Sequence, residues 1–111
     1  MNNYEHTIIV KQDTSEKQQK DLLNKYESLI SKYSGKILKT EKWGFLNFSN
    51  PIKKYRKGFY YHFKFEGNGE TIKELENAER IDSLLLRFLT VKVKKIDLET
   101  IYFENKENYK N

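Results

Sequence analysis

The spacing of hydrophobic and polar positions changes along the chain, and its first two patterns predict a strand followed by a helix. Residues 3–11 alternate with a period of two, which is typical of a strand with one buried face. The residues of that face are Tyr4, His6, Ile8 and Val10. Over residues 15–33 the hydrophobic positions recur at helical spacing instead. Ser15 and Gln18 form a capping box that begins this helix, and Gly35 suits a left-handed conformation at its end.

Two further strands and a basic loop are predicted in the middle of the chain. An extended segment covers about residues 36–50, and Gly44 within it predicts a bulge or bend against which Trp43 packs. A loop at residues 53–57 follows, and residues 59–66 then alternate as a third strand. Its hydrophobic face consists of Phe59, Tyr61, Phe63 and Phe65, and its opposite face consists of Tyr60, His62, Lys64 and Glu66.

A second helix and a fourth strand complete the pattern. The Gly-Asn-Gly run at residues 67–69 breaks the third strand and begins the helix. The hydrophobic stripe of this helix is Ile72, Leu75, Ala78 and Ile81, and its predicted solvent-exposed acids are Glu70, Glu74, Glu76 and Glu79. The last strand covers about residues 84–95 and is hydrophobic on both faces. One face carries Leu84, Leu86 and Phe88, and the other carries Leu89, Val91 and Val93.

The element order β-α-β-β-α-β predicts an α+β, ferredoxin-like fold, in which a four-stranded antiparallel sheet has both helices on one face. We expect residues 1–96 to form this domain and residues 97–111 to form a C-terminal tail. Because the last strand is hydrophobic on both faces, the side of the sheet without helices needs a cover of its own. Either the tail folds back over that side or a partner protein binds there.

Charge and composition narrow the classes of partner. The 111 residues carry a formal net charge of +5, which favours an anionic partner. Four cations crowd into the predicted loop, namely Lys53, Lys54, Arg56 and Lys57, and a phosphate backbone suits such a cluster. Cysteine is absent, which excludes disulfides and thiolate sites. No signal-like start and no membrane-length hydrophobic segment stands out, so we expect a cytoplasmic protein without a membrane partner.

The residues give little support to catalysis. His6 and His62 fall on opposite faces of different predicted strands, so they do not suggest a metal site or an acid–base pair. We expect His6 to be a hydrogen-bonded residue of the core. Neither a glycine-rich phosphate loop nor a nucleophile elbow is present. The sequence therefore predicts a protein that is not an enzyme and needs no cofactor, metal or small-molecule substrate.

One alternative arises from residues 57–63, which resemble the start of the main RNA-recognition-motif signature. That function needs Phe59 and Tyr61 exposed on the sheet, where they would stack on the bases of single-stranded RNA without help from another protein. The last aromatic position of the signature is Lys64 here, and the same aromatic row is needed for the core. A free-standing binder of single-stranded RNA is therefore the secondary hypothesis.

A set of dispersed residues resembles the bacterial small-subunit ribosomal protein S6 family over about residues 3–95. In the family's order and spacing, these residues are Tyr4-Glu5, Trp43-Gly44, Pro51-Ile52, Lys54, Gly58, Tyr60 and Arg87. The resemblance implies a ferredoxin-like structural component of the small ribosomal subunit. It also implies that the chain pairs with ribosomal protein S18, that the pair binds 16S ribosomal RNA, and that the tail orders against its partner.

The resemblance and the pattern of cations together indicate the residues of both interfaces. We expect RNA to be bound by Tyr4, Lys53, Lys54, Arg56, Lys57, Arg87, Lys92 and Lys94. We expect S18 to cover Tyr60, His62, Leu89, Val91 and Val93. Asn2 and Leu46 stand at positions where the family usually has arginine, so a cationic contact expected there is missing.

Overall fold

The computed structural model describes residues 2–96, and the predicted tail at residues 97–111 lies outside the described residues. In chain order the elements are β1 (Asn2–Lys11), α1 (Glu16–Lys32), β2 (Lys36–Ile52), β3 (Tyr55–Gly67), α2 (Gly69–Arg80) and β4 (Leu85–Val93). The four strands form one antiparallel sheet in the order β2-β3-β1-β4. The predicted ferredoxin-like β-α-β-β-α-β fold is therefore confirmed.

The core lies between the helices and one face of the sheet. The register places Tyr4 of β1 opposite Phe65 of β3, and Ile8 opposite Tyr61, so the alternating face of β1 and the aromatic face of β3 are one surface. Tyr26 of α1 and Leu75 of α2 are fully buried against it. The aromatic row is thus core, as its pattern predicts. We call the other side of the sheet, which neither helix covers, the open face.

Both helices begin as the sequence predicts, but the end of α1 differs. Ser15 and Gln18 form the predicted capping box of α1, and Asn68 caps α2 in the same way with Thr71. After α1 the left-handed residue is Ser34, with a φ of 67°, and not Gly35. Gly35 is required instead by close approach, because a Cβ there would lie 2.6 Å from Cγ2 of Ile30.

The hairpin between β2 and β3 is longer than predicted. The basic segment is not a loop, since Ile52 pairs with Tyr55 and only Lys53 and Lys54 form the turn. Both turn residues have positive φ, 49° and 73°. A two-residue turn with positive φ at both positions matches the right-handed twist of the strands. The sequence gives no sign of it, because such turns usually carry asparagine or glycine rather than two lysines.

Two predicted faces are wrong in detail. Glu79 was expected among the exposed acids of α2 but is buried, and Ile81, expected in the buried stripe, follows the last turn of the helix and is 86% exposed. In β4 a register shift between Ile9 and Val10 brings Leu85 rather than Leu86 opposite Val10. Such an irregularity exchanges the two faces of a strand, and alternation in the sequence cannot reveal it.

Candidate nucleic-acid and partner interface

The β4 side of the open face carries an exposed hydrophobic patch. Strand β4 is at the edge of the sheet, and alternation directs Leu89, Val91 and Val93 to the open face. Leu89 is 63% exposed and Val91 is 47% exposed, while Val93 is half-buried. Two large aliphatic side chains exposed side by side on a sheet are typical of a contact surface. We call Leu89, Val91 and Val93 the β4 patch.

Arg87 and Tyr60 border the β4 patch. Ile9 of β1 lies between them in the sheet, paired with Arg87 on one side and with Tyr60 on the other. Arg87 is exposed and Tyr60 is half-buried. Burial raises the pKa of the Tyr60 hydroxyl, and the positive charge of Arg87 opposes that rise. Arg87 and the Tyr60 hydroxyl therefore lie on the same part of the open face.

The centre of the open face is covered by Trp43, which stacks on His62. Their ring centroids are 4.5 Å apart and their planes differ by 14°. His62 is only 4% exposed, so it is not available for direct contact with a partner in this conformation. Its Nε2 lies 3.2 Å from a Glu5 oxygen, and its Nδ1 lies 2.8 Å from the Thr7 hydroxyl. Because a carboxylate only accepts, the geometry favours a hydrogen on Nε2.

A buried charge pair lies beside this stack, and sequence reasoning missed it. Lys64 is fully buried, with its Nζ 3.3 Å from Oε2 of Glu41. The Trp43 indole donates to the other Glu41 oxygen at 2.8 Å, and Lys39 lies 3.5 Å from Oε2. Burial alone would raise the pKa of Glu41, but the Trp43 hydrogen bond and the two lysines outweigh it and lower the pKa. The alternation of β3 correctly predicted that Lys64 lies on the open face, but the sequence carried no other sign of its pairing with Glu41.

The cations of the β2–β3 hairpin are exposed at the outer end of the sheet. Lys53, Lys54, Arg56 and Lys57 all have exposed side chains. Lys53 and Arg87 line the same shallow cleft, which brings the turn and the start of β4 together. The structure therefore gathers five of the expected RNA-binding cations at one end of the molecule.

The remaining expected RNA-binding residues lie elsewhere. Lys92 pairs with Tyr4 at the far end of β4, about 17 Å from Arg87 at the usual rise of a strand. Lys94 follows the strand, and its backbone carbonyl accepts a hydrogen bond from Asn3. Tyr4 belongs to the core, where its ring lies 5.6 Å from that of Phe65. Lys92 and Lys94 thus form a second, separate pair of exposed cations.

His6 is a hydrogen-bonded residue of the core, as predicted, but its partners were not foreseen. Its Nε2 lies 2.6 Å from Oε2 of Glu79, and its Nδ1 lies 2.6 Å from the Thr90 hydroxyl. That hydroxyl donates to Glu76 at 3.1 Å, so it accepts from Nδ1. Burial raises the pKa of Glu79, although the hydrogen bond from His6 opposes the rise. Glu79 follows buried Leu75 by four residues and so lies on the same face of the helix, and this spacing could have predicted its burial.

Three other kinds of site are not found in the described part of the chain. Among residues 2–96, no cluster of three histidine or acidic side chains is arranged to hold a metal ion. No helix there is long and hydrophobic enough to cross a membrane. The stacking platform of the secondary hypothesis is not available, because Tyr61 is buried and Phe59 packs against the core.

Comparisons with known proteins agree on one family. A family model described as "Ribosomal protein S6" matches residues 3–92. The chain is 53% identical over 109 residues to the small ribosomal subunit protein bS6 of Pelagibacter ubique, covering 98% of this chain and 90% of that relative. It is 38% identical over 96 residues to the bS6 protein of Caulobacter vibrioides, covering 86% and 76%. The crystal structure of the 30S ribosomal protein S6 from Thermotoga maritima is similar with a TM-score of 0.79 and 26% identity, covering 98% and 95%.

Proposed function

The chain belongs to the ribosomal protein S6 family, and on that premise we propose that it binds 16S ribosomal RNA in the small ribosomal subunit jointly with ribosomal protein S18. Its role is then structural rather than catalytic, and its location is the ribosome in the cytoplasm. The relatives that carry the name of a small-subunit protein support this assignment. The partner and the RNA contacts are inferred from the surface of the chain itself.

The observation that carries the proposal is the β4 patch. Leu89 and Val91 expose much of their hydrophobic surface beside half-buried Tyr60 and the exposed guanidinium of Arg87. Removing such aliphatic surface from water is favourable by about 25 cal/mol for each Å², so a protein partner gains by covering it. RNA offers no matching aliphatic surface. We therefore assign the β4 patch to S18.

Phosphate contacts are assigned to two groups of exposed cations. Lys53, Lys54, Arg56 and Lys57 of the hairpin, together with Arg87, form one group. Lys92 and Lys94 form the other, near the opposite end of the patch. Contacts of this kind position a protein on RNA but do not read its sequence. Specificity is then left to the shape of the RNA and to the joint surface of the two proteins.

The sharpest experiment is reconstitution from purified components. The chain, S18 and a fragment containing the central domain of 16S ribosomal RNA are mixed, and the complex is separated by sedimentation. Leu89→Asp is compared with Ile81→Asp, which changes another exposed aliphatic residue, beyond the end of α2. We expect Leu89→Asp to weaken pairing with S18 by about tenfold or more, because it buries a charge in the contact. Ile81→Asp should behave as the wild type.

Two results would overturn the proposal. If the wild-type chain and S18 never sediment with the RNA, the chain is not a joint RNA binder. If Leu89→Asp pairs with S18 as strongly as Ile81→Asp does, the β4 patch is not the S18 surface. Circular dichroism of both variants shows whether a loss of binding reflects unfolding.

A further inference from the structure

An exposed aromatic ring lies on the hairpin, on the side of the sheet away from the β4 patch. Phe45 of β2 pairs with Phe59 of β3, so alternation directs both toward the helix-covered side. Their ring centroids are 4.7 Å apart. Phe59 packs against the core, whereas Phe45 is 46% exposed. Neither the contact assigned to S18 nor the assigned phosphate contacts account for this ring.

Cations lie close to Phe45 and to the ring of Tyr55. The Lys57 ammonium lies 5.7 Å from the centre of the Phe45 ring, and the Lys11 ammonium lies 5.7 Å from that of Tyr55. Phe45 and Tyr55 line one shallow cleft with three cations of the hairpin, Lys54, Arg56 and Lys57. Asp13 is the one acid among the residues that line it, and it accepts a hydrogen bond from the Tyr55 hydroxyl. The cleft therefore combines two aromatic rings with a clear excess of positive charge.

We propose that this cleft holds an unpaired nucleotide of the bound RNA, with its base stacked on Phe45 and its phosphate beside Lys57. The inference rests on the proposed function for the class of its ligand, and it adds a base-stacking contact on the side of the sheet opposite the S18 surface. A nucleotide fits both halves of the cleft, because its base needs an aromatic face and its phosphate needs a cation. An aliphatic protein surface would leave the three cations without partners.

The arrangement of Lys57 supports this assignment. An ammonium over an exposed ring is held weakly, whereas a base that stacks on an aromatic side chain is held more strongly. A base can therefore displace the ammonium from the face of Phe45. The displaced ammonium stays within reach of the phosphate of the same nucleotide. Lys54 and Arg56 are then available to the phosphates on either side.

The test uses the full chain and a six-residue oligoadenylate with 2-aminopurine at its third position, whose fluorescence falls when it stacks. Phe45→Leu keeps a hydrophobic side chain but removes the ring, and Phe45→Trp enlarges the ring. We expect Phe45→Leu to weaken binding by about 5- to 20-fold and to abolish the change in fluorescence. Phe45→Trp should retain both. The slope of log affinity against log salt should be unchanged in both variants, because neither removes a charge.

A charge variant separates the two halves of the site. Lys57→Ala should lower the salt slope by about 0.7, the value for one contact with single-stranded RNA, while the stacking signal persists. Lys73→Ala on α2 is the matched control, since that exposed lysine lies outside the cleft. It should leave the slope at the wild-type value, because it removes no phosphate contact.

Three results would overturn the inference. In the first, the wild type fails to bind the oligoadenylate. In the second, Phe45→Leu binds it as strongly as the wild type does. In the third, a polyglutamate peptide displaces the RNA from the wild type but not from Phe45→Leu. The oligoadenylate assay needs neither S18 nor the ribosome. If it fails while the chain still assembles with S18 and 16S ribosomal RNA, the stacking site is wrong and the proposed function stands. If the oligoadenylate binds as described but the chain never assembles, the proposed function is wrong.

Discussion

The indole of Trp43 lies flat on the imidazole of His62, with centroids 4.5 Å apart and planes within 14° of parallel. This stack closes the middle of the open face over the buried Glu41–Lys64 pair. The two rings come from neighbouring strands, and a register shift between Lys42 and Gly44 allows Trp43 to lie there. The predicted role of Trp43 in packing the bend of the strand is thereby confirmed.

The stack makes Trp43 a reporter of the charge on His62. It is the only tryptophan of the chain, and a protonated imidazole in contact with an indole quenches its fluorescence. Burial lowers the pKa of His62 below its ordinary value of 6.5, although the charges of Glu5 and Glu41 oppose the shift. Tryptophan fluorescence should therefore fall in a transition below pH 6.5. His62→Gln should lack this transition, and a midpoint above pH 6.5 in the wild type would contradict the prediction.

The same shift makes stability depend on pH. Because the pKa of His62 is lower in the folded state, the unfolded chain takes up the proton first as the pH falls. The stabilisation is complete above about pH 6.5 and is lost as the pH falls through the folded pKa. Urea unfolding at pH 7.5 and 5.5 should show a larger loss for the wild type than for His62→Gln. Equal losses would show that His62 carries no such linkage.

Glu79 should have the opposite dependence. Burial raises its pKa above the ordinary 4.5, so its stabilisation is present below that pH and is lost as the pH rises through the folded pKa. Glu79→Gln has no charge to bury, and its side-chain amide can still form a hydrogen bond with Nε2 of His6. Urea unfolding between pH 4 and 7 should therefore favour the variant increasingly as the pH rises. Parallel curves, or the same trend in Glu70→Gln at the exposed start of α2, would contradict this.

Removing one member of the Glu41–Lys64 pair should lower the free energy of unfolding more than replacing both members does. Glu41→Ala removes a carboxylate from a fully buried ammonium and an acceptor from Trp43, and should cost about 3 kcal/mol of unfolding free energy. Combining Glu41→Leu with Lys64→Met exchanges both charges for hydrophobic volume and should recover most of that loss. Chemical unfolding of Glu41→Leu, Lys64→Met and the double variant measures the coupling. A double variant with the summed cost of the two single changes would show that the residues act independently.

Arg87 should contribute one phosphate contact in the complex with S18 and 16S ribosomal RNA. Arg87→Ala is expected to weaken binding and to lower the salt slope by about 0.7 to 0.9, since one cation releases about that many counterions. Lys20→Ala, an exposed lysine on α1, is the matched control. Filter binding over a range of salt concentrations measures both quantities. An unchanged slope for Arg87→Ala would remove this residue from the RNA interface.

The sequence by itself determined the order of the elements and the side of the sheet that forms the core. Alternation in β1, the aromatic row of β3 and the capping box at Ser15 are local patterns, and each follows from the geometry of one element. The exposed β4 patch also followed from alternation, because a strand that is hydrophobic on both faces needs two covers. The cations of the hairpin were visible as a run of charge.

Only the tertiary structure decided which polar groups are buried and with which partners. Glu79 and His6 lie 73 positions apart in the chain, and Glu41 and Lys64 meet only because β2 pairs with β3 in one register. His62 was expected to be available at the open face but is covered by Trp43, whose position depends on a bulge. Burial of this kind is set by contacts between elements distant in sequence. The period within one element carries no information about those contacts.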